Sequence, residues 1–160
     1  MARLLVGFLA FWTALLAGCG FQLRGEAQLP FASAYVDAPE ASVLAPTLRR
    51  ALAAQDKLAQ KPQDAPVRIR LVEERREKNI LSLSGGGKVR EYRLIYKVTL
   101  KVTDDMGKEL IAPVELEQQR EFTYDDALIL AKEAEEASLN RAMEQETLRQ
   151  ALRRLSYLKR

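Results

Sequence analysis

The stretch Glu91-Tyr-Arg-Leu-Ile-Tyr-Lys-Val-Thr-Leu-Lys-Val-Thr103 alternates in character almost without a break. Tyr92, Leu94, Tyr96, Val98, Leu100 and Val102 fall on one side, while Arg93, Lys97, Thr99, Lys101 and Thr103 fall on the other; Ile95 is the exception. Alternation of this kind marks a β-strand with one face buried and one face wet. At ~3.3 Å per residue the strand extends beyond about 30 Å, which is long beside the roughly 3–10 residues usual in soluble domains. A strand of that length needs neighbours of similar length.

The flanking sequence supplies them. Asp104-Asp105-Met106-Gly107 has turn composition, and its glycine can take positive φ. Residues 108–122 then read as a returning strand through Leu110, Val114, Leu116 and Phe122, with Pro113 placing it at an edge or a bulge. The side taken by Gln118 and Arg120 is left open by the pattern. Upstream, Val67, Ile69 and Leu71 alternate with Arg68 and Arg70, and Leu81 and Leu83 alternate with Ser82 and Ser84 before Gly85-Gly86-Gly87. The polar run Glu73 to Asn79 between them either continues that strand or turns out into solvent.

Helical patterns sit outside these strands. Thr123-Tyr124-Asp125-Asp126 resembles a capping box with Thr123 as the cap. No Gly or Pro occurs from Asp125 to Tyr157, so a helix of roughly 50 Å is expected. Its expected apolar stripe is Leu128, Ala131, Ala134, Ser138 and Ala142, then Leu148, Leu152 and Leu155, the small residues allowing close approach to a sheet. A second helix is expected from Ser42 to Leu58, with Pro46 tolerated in the first turn. Residues 61–66 have loop composition, and Ser33 to Ala38 offers a short strand. The order β-α-β-β-β-α predicts an α+β, two-layer sandwich: a mostly antiparallel sheet of long hairpin strands with both helices on one face.

The amino terminus has a different character. Arg3 precedes an uncharged run from Leu4 to Ala17, which ends in Leu16-Ala17-Gly18-Cys19. That run is shorter than the roughly 20 residues a membrane-spanning helix needs, and a charge, an apolar stretch and small residues make a secretory signal. Small residues directly before a cysteine resemble the bacterial lipobox, in which the thiol takes a diacylglyceryl group and the cysteine becomes the new amino terminus. The expected division is a signal peptide over 1–18, a lipidated tether over 19–33 and a single domain over 34–160. Several acyl chains on Cys19 would give a stable anchor, since each buried methylene contributes about 0.8 kcal/mol. Gly20 in place of Asp, by resemblance to sorted lipoproteins, favours the outer membrane.

Composition narrows the function classes. The 160 residues hold 25 Lys and Arg against 22 Asp and Glu. Loss of Arg3 would lower the balance from +3 to +2, too mild to argue for nucleic acid. The chain has no histidine and one cysteine, which removes the commonest general base, the commonest metal ligand and any disulfide. No cofactor or metal is expected. Asp104/Asp105 and Asp125/Asp126 are accounted for by a turn and a helix start, Glu135/Glu136 by a solvated helix face, and Ser82 and Ser84 have no histidine to activate them. An enzyme is not expected.

The assembled residues resemble the LptE family of lipopolysaccharide-assembly lipoproteins. The resemblance rests on Cys19-Gly20-Phe21-Gln22-Leu23-Arg24-Gly25, on Glu91-Tyr92-Arg93-Leu94 opening the long strand, and on Leu130-Ala131-Lys132-Glu133 early in the last helix. It implies a periplasm-facing outer-membrane lipoprotein that binds lipopolysaccharide, plugs the large β-barrel LptD and assists its assembly. A polar barrel lumen suits a plug with charged strand faces. The alternative is a structural lipoprotein adaptor docking a soluble periplasmic partner through a sheet edge.

Candidate lipopolysaccharide-binding residues follow. Lys132 stands in the family's Ala-Lys context; as a phosphate ligand it would act as a point charge, and as a plain helix residue it would pair with Glu135 or Glu136. Lys88 and Arg90 follow the triglycine turn, near where the family carries a basic residue and this chain has glycine. That turn lacks the P-loop spacing and precedes a strand, so it is not a nucleotide-phosphate loop. The basic carboxy-terminal residues, Arg149 to Arg160, read as compensation of the helix dipole. Cys19 is the expected lipidation site.

Overall fold

A computed structural model describes residues 28–158. The expected signal sequence, Cys19, the Gly20–Gly25 string and the last two basic residues lie outside the described residues. The elements run β1 (Ala34–Asp37), α1 (Leu44–Ala53), β2 (Val67–Leu83), β3 (Val89–Asp104), β4 (Glu109–Thr123) and α2 (Ile129–Ser156). One sheet is ordered β1-β2-β3-β4, with β1 parallel to β2 and the other pairs antiparallel. The three long strands have 17, 16 and 15 residues. Glu73 to Asn79 therefore continues β2, paired with Thr99 back to Arg93.

The β3 alternation is realised as read. Leu94, Tyr96, Val98, Leu100 and Val102 are buried under both helices, in one core with Leu44, Leu48, Leu52, Met143, Ala151 and Leu155. Gln118, opposite Tyr96, takes the buried side, whereas Arg120 is exposed. Among the described residues no helix lies on the other face of the sheet, which carries cations of β3 against anions of β4. Arg93 bonds to Glu121 at 3.0 Å, Lys97 pairs with Glu117 at 2.8 Å, and Lys101 with Glu109 at 2.6 Å.

Both helices are shorter than expected. α1 stops at Ala53 because Asp56 takes φ 55 and Lys57 N–H donates to Leu52 O, a left-handed closure that Asp tolerates. The released chain places Leu58 beside Ala34 in a parallel bridge. At the other end, Glu74 of β2 accepts from Val43 N–H and Leu44 N–H, putting a carboxylate at the positive end of the helix. Leu29 and Phe31, within the segment expected as a tether, are buried in the core.

The face α2 turns inward is not the expected small-residue stripe. Ala131, Ala134, Ser138 and Ala142 are exposed; Met143, Thr147, Ala151 and Leu155 are buried. The reason lies in β2. Beyond Leu71 its helix-facing positions are Glu74, Arg76 and Lys78, each paired to a buried-side residue of β3. The part of α2 up to Glu144 is therefore joined to the sheet by ion pairs, Arg76 to Glu144 at 2.5 Å and Lys78 to Glu136 at 2.6 Å, and not by alanines. Among the described residues no helix is long and apolar enough to cross a membrane.

Candidate ligand-binding site

The site is built where the β2–β3 hairpin, the end of β4 and the start of α2 meet. Ser84 and Lys88 close the hairpin: Ser84 N–H donates to Lys88 O at 2.7 Å, and Lys88 N–H to Ser84 Oγ at 3.1 Å. Gly87 supplies the positive φ of 77° that this turn requires. A strand follows, so the turn is a hairpin and not a phosphate loop. Tyr124 N–H donates to Arg90 O at 2.7 Å, tying the exit of β4 to the entry of β3.

The helix start differs from the capping box read in the sequence. Thr123 still pairs with Glu91 and remains extended. The cap is Asp125, whose carboxylate accepts from Ala127 N–H at 2.9 Å before a 3-10 turn over Asp126–Leu128. Thr123 Oγ1 instead accepts from Lys132 Nζ at 3.2 Å.

These elements enclose an open cavity of ≈ 850 Å³ that Lys88, Arg90 and Lys132 all line. The three residues singled out in the sequence, 42 or more positions apart between hairpin and helix, thus line one cavity. Glu91, Asp125 and Asp126 line it too, so the cations differ in how free they are. Lys132 is 16% exposed and held by Glu135 at 2.9 Å as well as by Thr123; the local helix pairing anticipated for it is present. Lys88 is 3.7 Å from Asp126, with both side chains mostly exposed. Arg90 has no side-chain hydrogen bond or ion pair among the described residues. An incoming anion would meet Arg90 first, Lys88 next, and Lys132 only by competing with Glu135.

Beside this cavity lies a residue the sequence reading did not single out. Lys78 Nζ sits 4.3 Å from the Tyr92 ring centroid and 5.8 and 6.0 Å from those of Phe122 and Tyr124. Its other partner is Glu136. Tyr92 stacks on Phe122 at 5.8 Å and meets Tyr124 edge-on at 5.2 Å. Cation–π contacts of this kind contribute about 0.5–2 kcal/mol; here they fix Lys78 over the ends of β3 and β4, and its bond to Glu136 ties α2 to that point. Parity in the sequence pointed the other way: counted from Val67, Ile69 and Leu71, Lys78 falls on the wet face with Arg68 and Arg70, and the register shift between Leu71 and Glu73 turns it to the helix side.

Leu128, read as the first core residue of α2, is 56% exposed, as are Ile129 at 48% and Leu130 at 79%. The carboxy-terminal basic residues lie at the far end of α2, where Arg149 and Arg153 both pair with Glu146 and hold its carboxyl below the usual range, Arg149 more strongly. They take no part in the cavity. Among the described residues, no cluster of Asp, Glu, His and Cys is disposed to hold a metal ion.

A long open sheet, helices on one face and a cavity lined by both cations and carboxylates at one end define a two-layer α+β protein with an end-on cleft. A family model described as LptE, lipopolysaccharide assembly, matches residues 31–155, and the chain belongs to that family. It is 28% identical to the LPS-assembly lipoprotein LptE of Photorhabdus laumondii, over 96% of this chain and 85% of that protein. Identity and coverage are the same with the LPS-assembly lipoprotein LptE of Pectobacterium atrosepticum. The fold matches the solution structure of lipoprotein B from Nitrosomonas europaea with a TM-score of 0.75, at 36% identity over 86% of this chain and 90% of that one.

Proposed function

We propose that this protein is an outer-membrane lipoprotein that binds lipopolysaccharide and plugs the LptD β-barrel, assisting its assembly. In this reading residues 1–18 are removed, Cys19 carries the lipid, and a short segment leads to a domain in which Leu29 is the first buried residue among those described. The protein faces the periplasm, acts without a cofactor and is not an enzyme. The observation that carries the reading is the convergence of Lys88, Arg90 and Lys132 on one cavity, which gives a phosphorylated glycolipid a cationic landing point. The uncovered sheet face supports the plug: its β3–β4 charge ladder suits a polar lumen. The edge-docking alternative is less favoured, because β4 carries Pro113 and irregular register near Val102, features that blunt an edge.

The test is lipopolysaccharide binding by the full chain with Lys88→Glu and Arg90→Glu together. Both side chains are exposed, so folding should be unchanged. Loss of about tenfold or more in affinity, a change of roughly 1.4 kcal/mol, is expected. Unchanged affinity would remove the cavity from the function. Lys132 is left intact in this variant, since reversing it would also break its bonds to Thr123 and Glu135.

A further inference from the structure

Ten large hydrophobic side chains are exposed among the described residues, and six of them stand at one end of the molecule. Leu128, Ile129 and Leu130 open α2, while Ile80, Leu81 and Leu83 lead into the hairpin tip. Leu128 lines the same cavity as Lys88, Arg90 and Lys132. Ile80 lies two residues beyond Lys78 on β2, on the same helix-facing side. Lys78 bonds to Glu136, one helical turn past Lys132, so Ile80 stands nearer the level of Lys132, one turn short of Leu128. Leu130, at 79%, is more exposed than Leu128 or Ile129. Aliphatic residues gathered in this way mark a surface that meets another apolar body.

The charge beside them identifies that body. An apolar protein partner would have to bury Arg90, whose side chain has no hydrogen bond or ion pair among the described residues, against its surface; an acylated lipid with an anionic head group matches both halves at once. We propose that Leu128, Ile129, Leu130 and Ile80 form an acyl-chain shelf, with Arg90 and Lys88 taking the phosphates of the same molecule. This rests on the lipopolysaccharide reading of the cavity and assigns the part of that ligand the cations do not reach. It separates two chemistries within one site: removal of aliphatic surface from water, insensitive to salt, and ion pairing at an exposed rim, sensitive to it.

The experiment compares intact lipopolysaccharide with the same material stripped of its acyl chains, using the full chain with Cys19→Ser so that it bears no lipid. Three proteins are titrated: this parent, Leu128→Ser/Leu130→Ser, and Arg90→Glu. The leucine pair should lose about tenfold or more on the intact ligand and nothing on the deacylated one, while Arg90→Glu should weaken both. Unchanged melting is expected for the leucine pair, because those side chains are already in solvent. The proposal is overturned if the leucine pair binds intact ligand like the parent, or loses both ligands equally. It is also overturned if the parent binds the two ligands equally, in which case the cationic reading survives without the shelf. A parent that binds neither ligand refutes the underlying lipopolysaccharide reading itself. Normal ligand binding by the leucine pair combined with loss of a co-purifying barrel would reassign the patch to a protein partner.

Discussion

Replacing Glu74 by Ala tests how the two layers are joined. One Glu74 carboxylate accepts from Ser42 Oγ at 2.5 Å, Val43 N–H at 3.1 Å, Leu44 N–H at 3.2 Å and the Tyr96 hydroxyl at 2.6 Å. It thereby links β2, β3 and the start of α1. Tyr96 is 1% exposed, so truncation strands its hydroxyl at about 1–3 kcal/mol, and the lost helix-terminus interaction adds about 1 kcal/mol. The sum is about 2–4 kcal/mol, a fall in Tm on the order of 10 °C for a domain of this size. Tyr96→Phe removes the donor along with the need for it and should cost only about 0.5–1.5 kcal/mol. The double variant should be more stable than additivity predicts by about 1 kcal/mol. Urea unfolding of the four proteins followed by circular dichroism measures the cycle. Additive costs within about 0.5 kcal/mol would show that the carboxylate and the phenol are not coupled, and the joint would have to be sought elsewhere.

Burial, and then the bond to Glu74, push the Tyr96 phenol well above its ordinary value of 10.0. The folded state therefore favours the protonated ring, and the stability this gives is present below pH 10 and lost as pH rises beyond it. Tyr96→Phe should lose less stability than the parent on alkaline titration, and equal alkaline losses would contradict the burial of that hydroxyl. Met143 is fully buried whereas Ala142 is exposed. Met143→Ala should cost about 2–5 kcal/mol and Ala142→Lys within about 0.5 kcal/mol; a reversal of that order in thermal melts would restore the stripe read from sequence. Glu146, held below the usual carboxylate value of 4.5 by Arg149 and Arg153, adds its stability above that range and loses it as pH falls through it. The gap between parent and Glu146→Gln, a few tenths of a kcal/mol for so exposed a cluster, should close on acidification.

The sheet was legible because hydrophobic alternation and burial coincide along β3: each of Leu94, Tyr96, Val98, Leu100 and Val102 went where its period placed it. The register of α2 was not legible, because the part of it up to Glu144 is held by Lys78, Arg76 and their glutamates. Such ion pairs leave no trace in a hydrophobic period. The same blind spot made Leu128 look like core: a leucine at helical spacing is read as buried, although here none of the described residues covers it. For the cavity, sequence pattern supplied two of the cations through the hairpin composition, and family resemblance supplied Lys132. Their order of availability came only from the geometry, since Glu135 and Thr123 occupy Lys132 while the Arg90 side chain has no partner among the described residues. Thr123 was misplaced as a cap because a β-strand that runs one residue further keeps it in the ladder.

The central claim is that this lipoprotein works inside the barrel that exports lipopolysaccharide. It is tested most directly by isolating the protein at native expression from outer membranes under mild detergent and identifying what accompanies it. The account predicts one large β-barrel protein in equal amount, retained through purification. Recovery of the lipoprotein alone, or with a soluble periplasmic protein in place of a barrel, would contradict it.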